Sequence, residues 1–270
     1  MTDDLTIGLR CDQALLDIRH DCARTVAGCG VLLPQADTRS SGRLTNPPNQ
    51  LLQLIVMSPL VVHCRMEEAL SLCNEGAFLL QSNRVGDAIA SLRLALAALN
   101  DLAPDGQEAD IEEHRVYLVP GERLSHFKES SFYIFDRPFF IRARPSGEQL
   151  KFEELALAAV LFNLGLCFQC KSLLEANATR KAVVLYQLCD NILAHCDPTA
   201  CAAVLTVVAK NNHASQLFEQ VEMTSVCEIM KDLQDMIQVQ FGILDAHDLG
   251  GLMVNVMCAQ HGMHTTAGAA

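Results

Sequence analysis

Apolar side chains return every third or fourth position along most of this chain, the period at which one face of an α-helix meets a core. Cys11, Leu15, Ile18, Cys22 and Val26 form such a stripe over residues 10–27, with Asp, Arg and His on the other face. The same period predicts helices over about 64–82 and 87–102. It returns at Ser146, where Ser146-x-x-Gln149 is a capping box, and continues to about Cys170. A further helix is predicted from near Thr179 to His195. Asp197-Pro198 reads as a helix start, a capping Asp with Pro at the first helical position, for a helix ending near Gln220. Ser225-x-x-Glu228 opens a last helix that closes near Phe241, and residues 262–270 are small and polar.

Two stretches break the period. Residues 34–50 hold Pro34, Ser40-Ser41-Gly42 and Asn46-Pro47-Pro48-Asn49, a linker composition with too little apolar surface to order itself. Residues 111–145 carry Val116-Tyr117-Leu118-Val119, Phe132-Tyr133-Ile134-Phe135 and Phe139-Phe140-Ile141, all β-prone, with Pro138 restricting pairing to an edge or a turn. They predict a β-hairpin or extended excursion between helices. The expected organisation is an N-terminal amphipathic helix and linker over 1–50, a first helical unit over 51–103 and an insertion over 104–149. Second and third helical units follow over 150–245, then a tail over 246–270. The fold class expected is mainly α, built of antiparallel helix pairs with a short β or irregular insertion.

Overlaying the helix pairs exposes a repeat. The first reads Asn74-Glu75-Gly76-Ala77, Leu79, Ala88-Ile89, Leu92 and Ala95-Leu96. The second reads Asn163-Leu164-Gly165, Phe168, Ala182-Val183, Tyr186 and Cys189. The third reads Asn212-His213-Ala214, Leu217, Val226-Cys227, Met230 and Leu233. Two antiparallel helices need small residues where their axes come within about 8–10 Å, and large residues on the next turn fill the groove between neighbours.

This pattern resembles the tetratricopeptide (TPR) repeat over roughly 65–103 and 150–241. The spacing from Gly76 to Ala88 and from Ala88 to Ala95 agrees with the family's; the third unit keeps the first of these from Ala214 to Val226, with Val in place of the packing Ala. The second carries extra residues around Lys171 to Asn177, and the family's Pro at the end of each unit is shifted or missing. The string from Asn163 to Cys189, with Asn211-Asn212, is also similar to TPR-like proteins abundant in diatoms, a match that implies no activity. The family resemblance implies a solenoid of about three units whose first helices line a concave groove for an extended peptide or a helix. A well-known subclass clamps a terminal carboxylate there with Lys, Asn and Arg. The matching positions here are Phe162, Leu166 and Ala77, so that clamp is not expected.

One Asn recurs in each unit, Asn74, Asn163 and Asn212, two residues before the small residue, which the resemblance places on the groove side. An amide both donates and accepts, which suits reading a peptide backbone. The same residues could instead bond neighbouring helices or face water. Lys210 and Asn211 are expected at the rim of the groove.

Composition narrows the partners. The formal charge of −12 would repel nucleic acid, and it favours a protein guest with basic residues. The longest apolar run, Leu155 to Phe168, is interrupted by Asn163 and falls short of a membrane span. The N-terminus Met1-Thr2-Asp3-Asp4 lacks the apolar core of a secretory signal, so the twelve Cys are read as reduced thiols of a cytosolic or nuclear protein. Cys167-x-x-Cys170 lies mid-helix without a second Cys pair, and two buried thiols are the better reading. Cys258, His261 and His264 have metal-ligand types but sit in a Gly-containing tail. His195 and Cys196 are adjacent on a helix and point about 100° apart, which does not make a dyad. No phosphate loop, nucleophile elbow or zinc-helix motif is present. The expectation is an interaction scaffold, not an enzyme, without cofactor or metal. The alternatives are a structural or assembly subunit whose groove is filled by its own tail or by a copy of itself, and a Cys/His metal or thiol-redox protein using Cys167, Cys170, Cys258 and the tail His.

Overall fold

The computed structural model describes residues 59–100, 115–125, 132–144, 152–172, 175, 177–196, 198–239 and 244–267. The amphipathic helix and linker expected over 1–50 lie outside them. Among the described residues, seven helices and two strands follow in chain order: α1 Pro59–Gln81, α2 Val85–Asn100, β1 Arg115–Pro120, β2 Phe139–Arg144, α3 Phe152–Lys171, α4 Ala178–Leu193, α5 Ala200–Glu219, α6 Met223–Val239 and α7 Ala246–Ala267. The chain is therefore mainly helical, as the periodicity predicts.

Three boundaries differ from the sequence reading. The cap of α5 is Thr199, whose side chain accepts from the N–H of Ala202 at 3.0 Å, so the helix starts beyond Asp197-Pro198. Helix α6 begins at Met223 and leaves Ser225 inside its first turn. The supposed tail forms α7, a seventh helix.

Short connections make α1–α2 and α5–α6 antiparallel hairpins. Asn83 (φ 58°) and Val221 (φ 62°) sit in the left-handed region just past α1 and α5. There they let Arg84 N–H and Glu222 N–H reach back to the carbonyls of Leu79 and Leu217. Each helix packs on the next one in sequence from α1 to α7; in addition α1 touches α3, and α3 touches α5. The small residues of the overlay lie where partner helices meet. A Cβ on Gly76 would stand 2.5 Å from Leu92 Cγ, and one on Gly165 would stand 2.6 Å from the Tyr186 ring.

The insertion crosses this helical layer. Strands β1 and β2 pair antiparallel, with Pro120 opposite Phe139 and Leu118 opposite Ile141, and they rest on α1 and α3. Phe135, Phe139 and Ile141 are buried in the main core with Phe162 and Tyr186, while Phe132 joins a second core formed by α5, α6 and α7. The Phe139 ring meets Phe162 edge-on at 5.3 Å and lies parallel to Phe135 at 5.5 Å. Among the described residues, Glu154–Lys171 alone is long and apolar enough to cross a membrane; 78% of it is buried as the central core helix α3.

Candidate functional site

Helices α1, α3, α5 and α7 each hold one residue of the same stretch of chain through both amide groups of an asparagine. Asn74 on α1 donates through Nδ2 to the carbonyl of Ile141 (2.9 Å) and accepts the Ile141 N–H at Oδ1 (2.8 Å). Asn163 on α3 does the same with Phe139, at 2.8 and 2.9 Å. Asn212 on α5 holds Phe135 at 2.9 Å in both directions. Asn255 on α7 holds Tyr133 at 2.7 Å in both directions. Every member grips one residue by its own N–H and C=O, the two groups that point the same way from an extended residue.

The gripped residues are 133, 135, 139 and 141, all of one parity. The opposite parity faces the other side: the carbonyls of Pro138 and Asp136 accept from Gly121 N–H (2.7 Å) and Leu124 N–H (3.0 Å). Such alternation belongs to an extended strand hydrogen-bonded along both edges. One edge is β1 with the residues following it. The other consists of four asparagines instead of a strand. The segment runs from α7 toward α1, opposite to the order of the helices.

In the three buried amides both Nδ2 protons have partners. Asn163, Asn212 and Asn255 are buried, and an unbonded amide there would cost roughly 1–3 kcal/mol. Asn211 donates to the carbonyl of Tyr133 (3.0 Å) and to Asn212 Oδ1 (3.2 Å), and accepts from Asn255 Nδ2 (2.7 Å). Three asparagines thus brace one another across α5 and α7. The second proton of Asn212 Nδ2 faces the Tyr186 hydroxyl at 3.4 Å, which itself donates to Gln169 Oε1 at 2.6 Å.

A charge cluster closes the end nearest α7. Asp248, buried in the first turn of that helix, accepts from Arg123, from the Tyr133 hydroxyl and from Arg137 Nη1 (3.1 Å). Arg137 also reaches Asp245 at 2.7 Å, and Arg123 reaches Asp136 at 2.9 Å. Burial, reinforced by the bond to Asp248, pushes the Tyr133 phenol above its ordinary pKa and keeps it a donor. The Asp248 N–H bound to Asp245 holds that carboxyl below the usual range. Gly251 lies against the Tyr133 ring, where a Cβ would stand 2.2 Å from it.

Of the residues singled out in the sequence, Asn74, Asn163, Asn211 and Asn212 come together on the segment. Lys210 does not join them: its ammonium pairs with Asp190 at 2.9 Å and lies 3.9 Å from Asp232, between α4 and α6. Lys210 stands about 200° around α5 from Asn212, which turns it away from the segment. Asn255, Asp248, Arg123, Arg137 and Tyr133 were not singled out. The alternating apolar residues Tyr133, Phe135, Phe139 and Ile141 were the available signal for the segment.

The thiol chemistry lies elsewhere. Cys167 is fully buried, and burial raises its pKa; burial likewise pushes Cys170 and Cys73 up to about 12, which disfavours thiolate. His195 Nδ1 lies 2.8 Å from the Asn191 carbonyl, while the Cys196 thiol donates to the Ile192 carbonyl at 3.5 Å. Cys258 is exposed on α7, and the side chains of His261 and His264 lie outside the described residues. Phe162, Leu166 and Ala77, which stand at the clamp positions of the resemblance, are buried apolar residues.

No protein-family model, no curated protein and no solved structure matches this chain.

Proposed function

We propose that the chain is a TPR-like helical-repeat protein that works by holding protein rather than by catalysis, and that its groove is filled by its own insertion. In this reading α1–α2, α3–α4 and α5–α6 are three units and α7 is the first helix of a fourth. The observation that carries it is the asparagine ladder: one amide on the first helix of each unit, each bonded to both polar groups of one residue in a single extended segment. Backbone bonds of this kind are indifferent to side-chain identity, so the groove has the chemistry of a peptide receptor. With Tyr133, Phe135, Phe139 and Ile141 seated, the amides are already used. This favours a self-occupied scaffold or assembly subunit over an open peptide binder, with another protein as the partner.

Amide hydrogen exchange on the full chain tests the reading. The N–H groups of Tyr133, Phe135, Phe139 and Ile141 are expected to exchange far more slowly than those of an exposed loop. Substituting Asn212→Ala and Asn255→Ala together should accelerate Tyr133 and Phe135 first. Exchange at loop rates in the folded wild type would overturn it.

A further inference from the structure

We propose that the α5–α7 end of the groove is a binding site for a second, external peptide, one that is extended and carries an aromatic-x-aromatic-x-Arg pattern, and that Tyr133-Ile134-Phe135-Asp136-Arg137 is its built-in competitor. This rests on the self-occupied groove above.

The two ends of the segment are held differently. Toward α1 and α3, Phe139 and Ile141 belong to β2, are paired with β1 and lie in the main core. Toward α7, residues 132–138 do not pair with β1 itself; Pro138 and Asp136 bond through their carbonyls to Gly121 and Leu124 beyond it, and Tyr133 is partly buried. Helix α7 itself packs on α6 and turns Met253, Val254 and Met257 to solvent. Elements with less packed surface open at lower free energy than the core. The segment can therefore leave Asn212 and Asn255 while keeping Asn163 and Asn74.

What it leaves behind specifies the replacement. Asn255 and Asn212 demand N–H and C=O groups on two residues separated by one. Gly251 and His247, against the Tyr133 ring, and the Phe162 ring beside Phe135 accept rings. Asp245 and Asp248 then lose Arg137, which bridges them, and the freed carboxylate oxygens favour a guanidinium in its place. Arg123 remains on Asp248 from the host side. The net charge of −12 adds a general attraction for a cationic peptide.

The probe is a fluorescent synthetic peptide of residues 131–138, titrated into the full chain by anisotropy. A competitor in place lowers apparent affinity by the fraction of open sites. The full-length variant Tyr133→Ser/Arg137→Ser, with its own segment weakened, should therefore bind the probe at least about tenfold tighter than the wild type. A probe N-methylated at Tyr133 and Phe135 lacks the two donors and should lose roughly tenfold or more per position. A probe with Arg137→Glu should not bind. Equal binding of the methylated probe, or none by the folded variant, overturns the proposal. Should the variant not fold, hydrogen exchange in the wild type decides. Tyr133 and Phe135 amides that open below the global unfolding free energy support the proposal; amides that open only with global unfolding sink it and leave the self-occupied groove standing. Unprotected amides would remove both.

Discussion

Asn163 and Phe139 form a closed pair: one side-chain amide satisfies both backbone groups of one residue, at 2.8 and 2.9 Å, with both residues sealed from water. Removing the amide strands a buried donor and a buried acceptor, each worth about 1–3 kcal/mol. Asn163→Ala should therefore cost about 2–5 kcal/mol in urea unfolding. Asn74→Ala, at a partly buried position that water can reach, should cost clearly less. Equal losses at the two positions would contradict the geometry.

Asp248 and Asp245 differ in burial more than in chemistry. Asp248 is enclosed and serves two arginines and a tyrosine, whereas Asp245 is half exposed. Asp248→Ala should destabilise by about 3–5 kcal/mol, the cost of breaking a buried ionic cluster, and Asp245→Ala by under about 1 kcal/mol. Thermal unfolding of the two variants side by side measures the contrast.

His213 on α5 supplies a pH dependence. Burial, with Lys210 adding to it, lowers its pKa from 6.5 to about 4. The unfolded chain therefore takes up the proton first as pH falls. Its contribution to stability is complete above pH 6.5 and is lost between pH 6.5 and 4. At pH 5 the loss is about 2 kcal/mol. Urea titrations at pH 7.5 and pH 5 should show the wild type losing that much more than His213→Gln, a comparison in which the other titrating groups cancel.

Val221 holds a left-handed conformation at the end of α5 while 79% exposed. A β-branched residue pays about 1–2 kcal/mol there, and glycine does not. Val221→Gly should raise stability by about 1 kcal/mol after the greater freedom of the unfolded glycine is deducted. A fall in melting temperature would show that the side chain contributes packing that its exposure conceals.

The helical layer was legible because it is periodic, and three of the four ladder amides were legible because they recur two residues before a small one. Asn255 escaped for a physical reason. Gly76 and Gly165 are small because a partner helix presses on them, but α7 turns Met257 to solvent at the matching place. With Met257 rather than a small residue two positions on, the pattern that marks the other three amides does not form. Lys210 was misplaced because sequence adjacency to Asn211 says nothing about direction on a helix. The identity of the occupant was beyond any local pattern, since Tyr133 and Asn255 are 122 positions apart.

That separation bears on how the chain comes off the ribosome. The segment is synthesised before three of the four asparagines that hold it, in the order Asn163, Asn212 and Asn255, so it docks from its C-terminal end backward as α3, α5 and α7 emerge. Local helix hairpins can form as soon as they are made, whereas Phe132, Tyr133 and Phe135 wait as exposed aromatic residues for contacts of high sequence separation. Seating of this strand is therefore expected to come late in folding, once Asn255 has emerged.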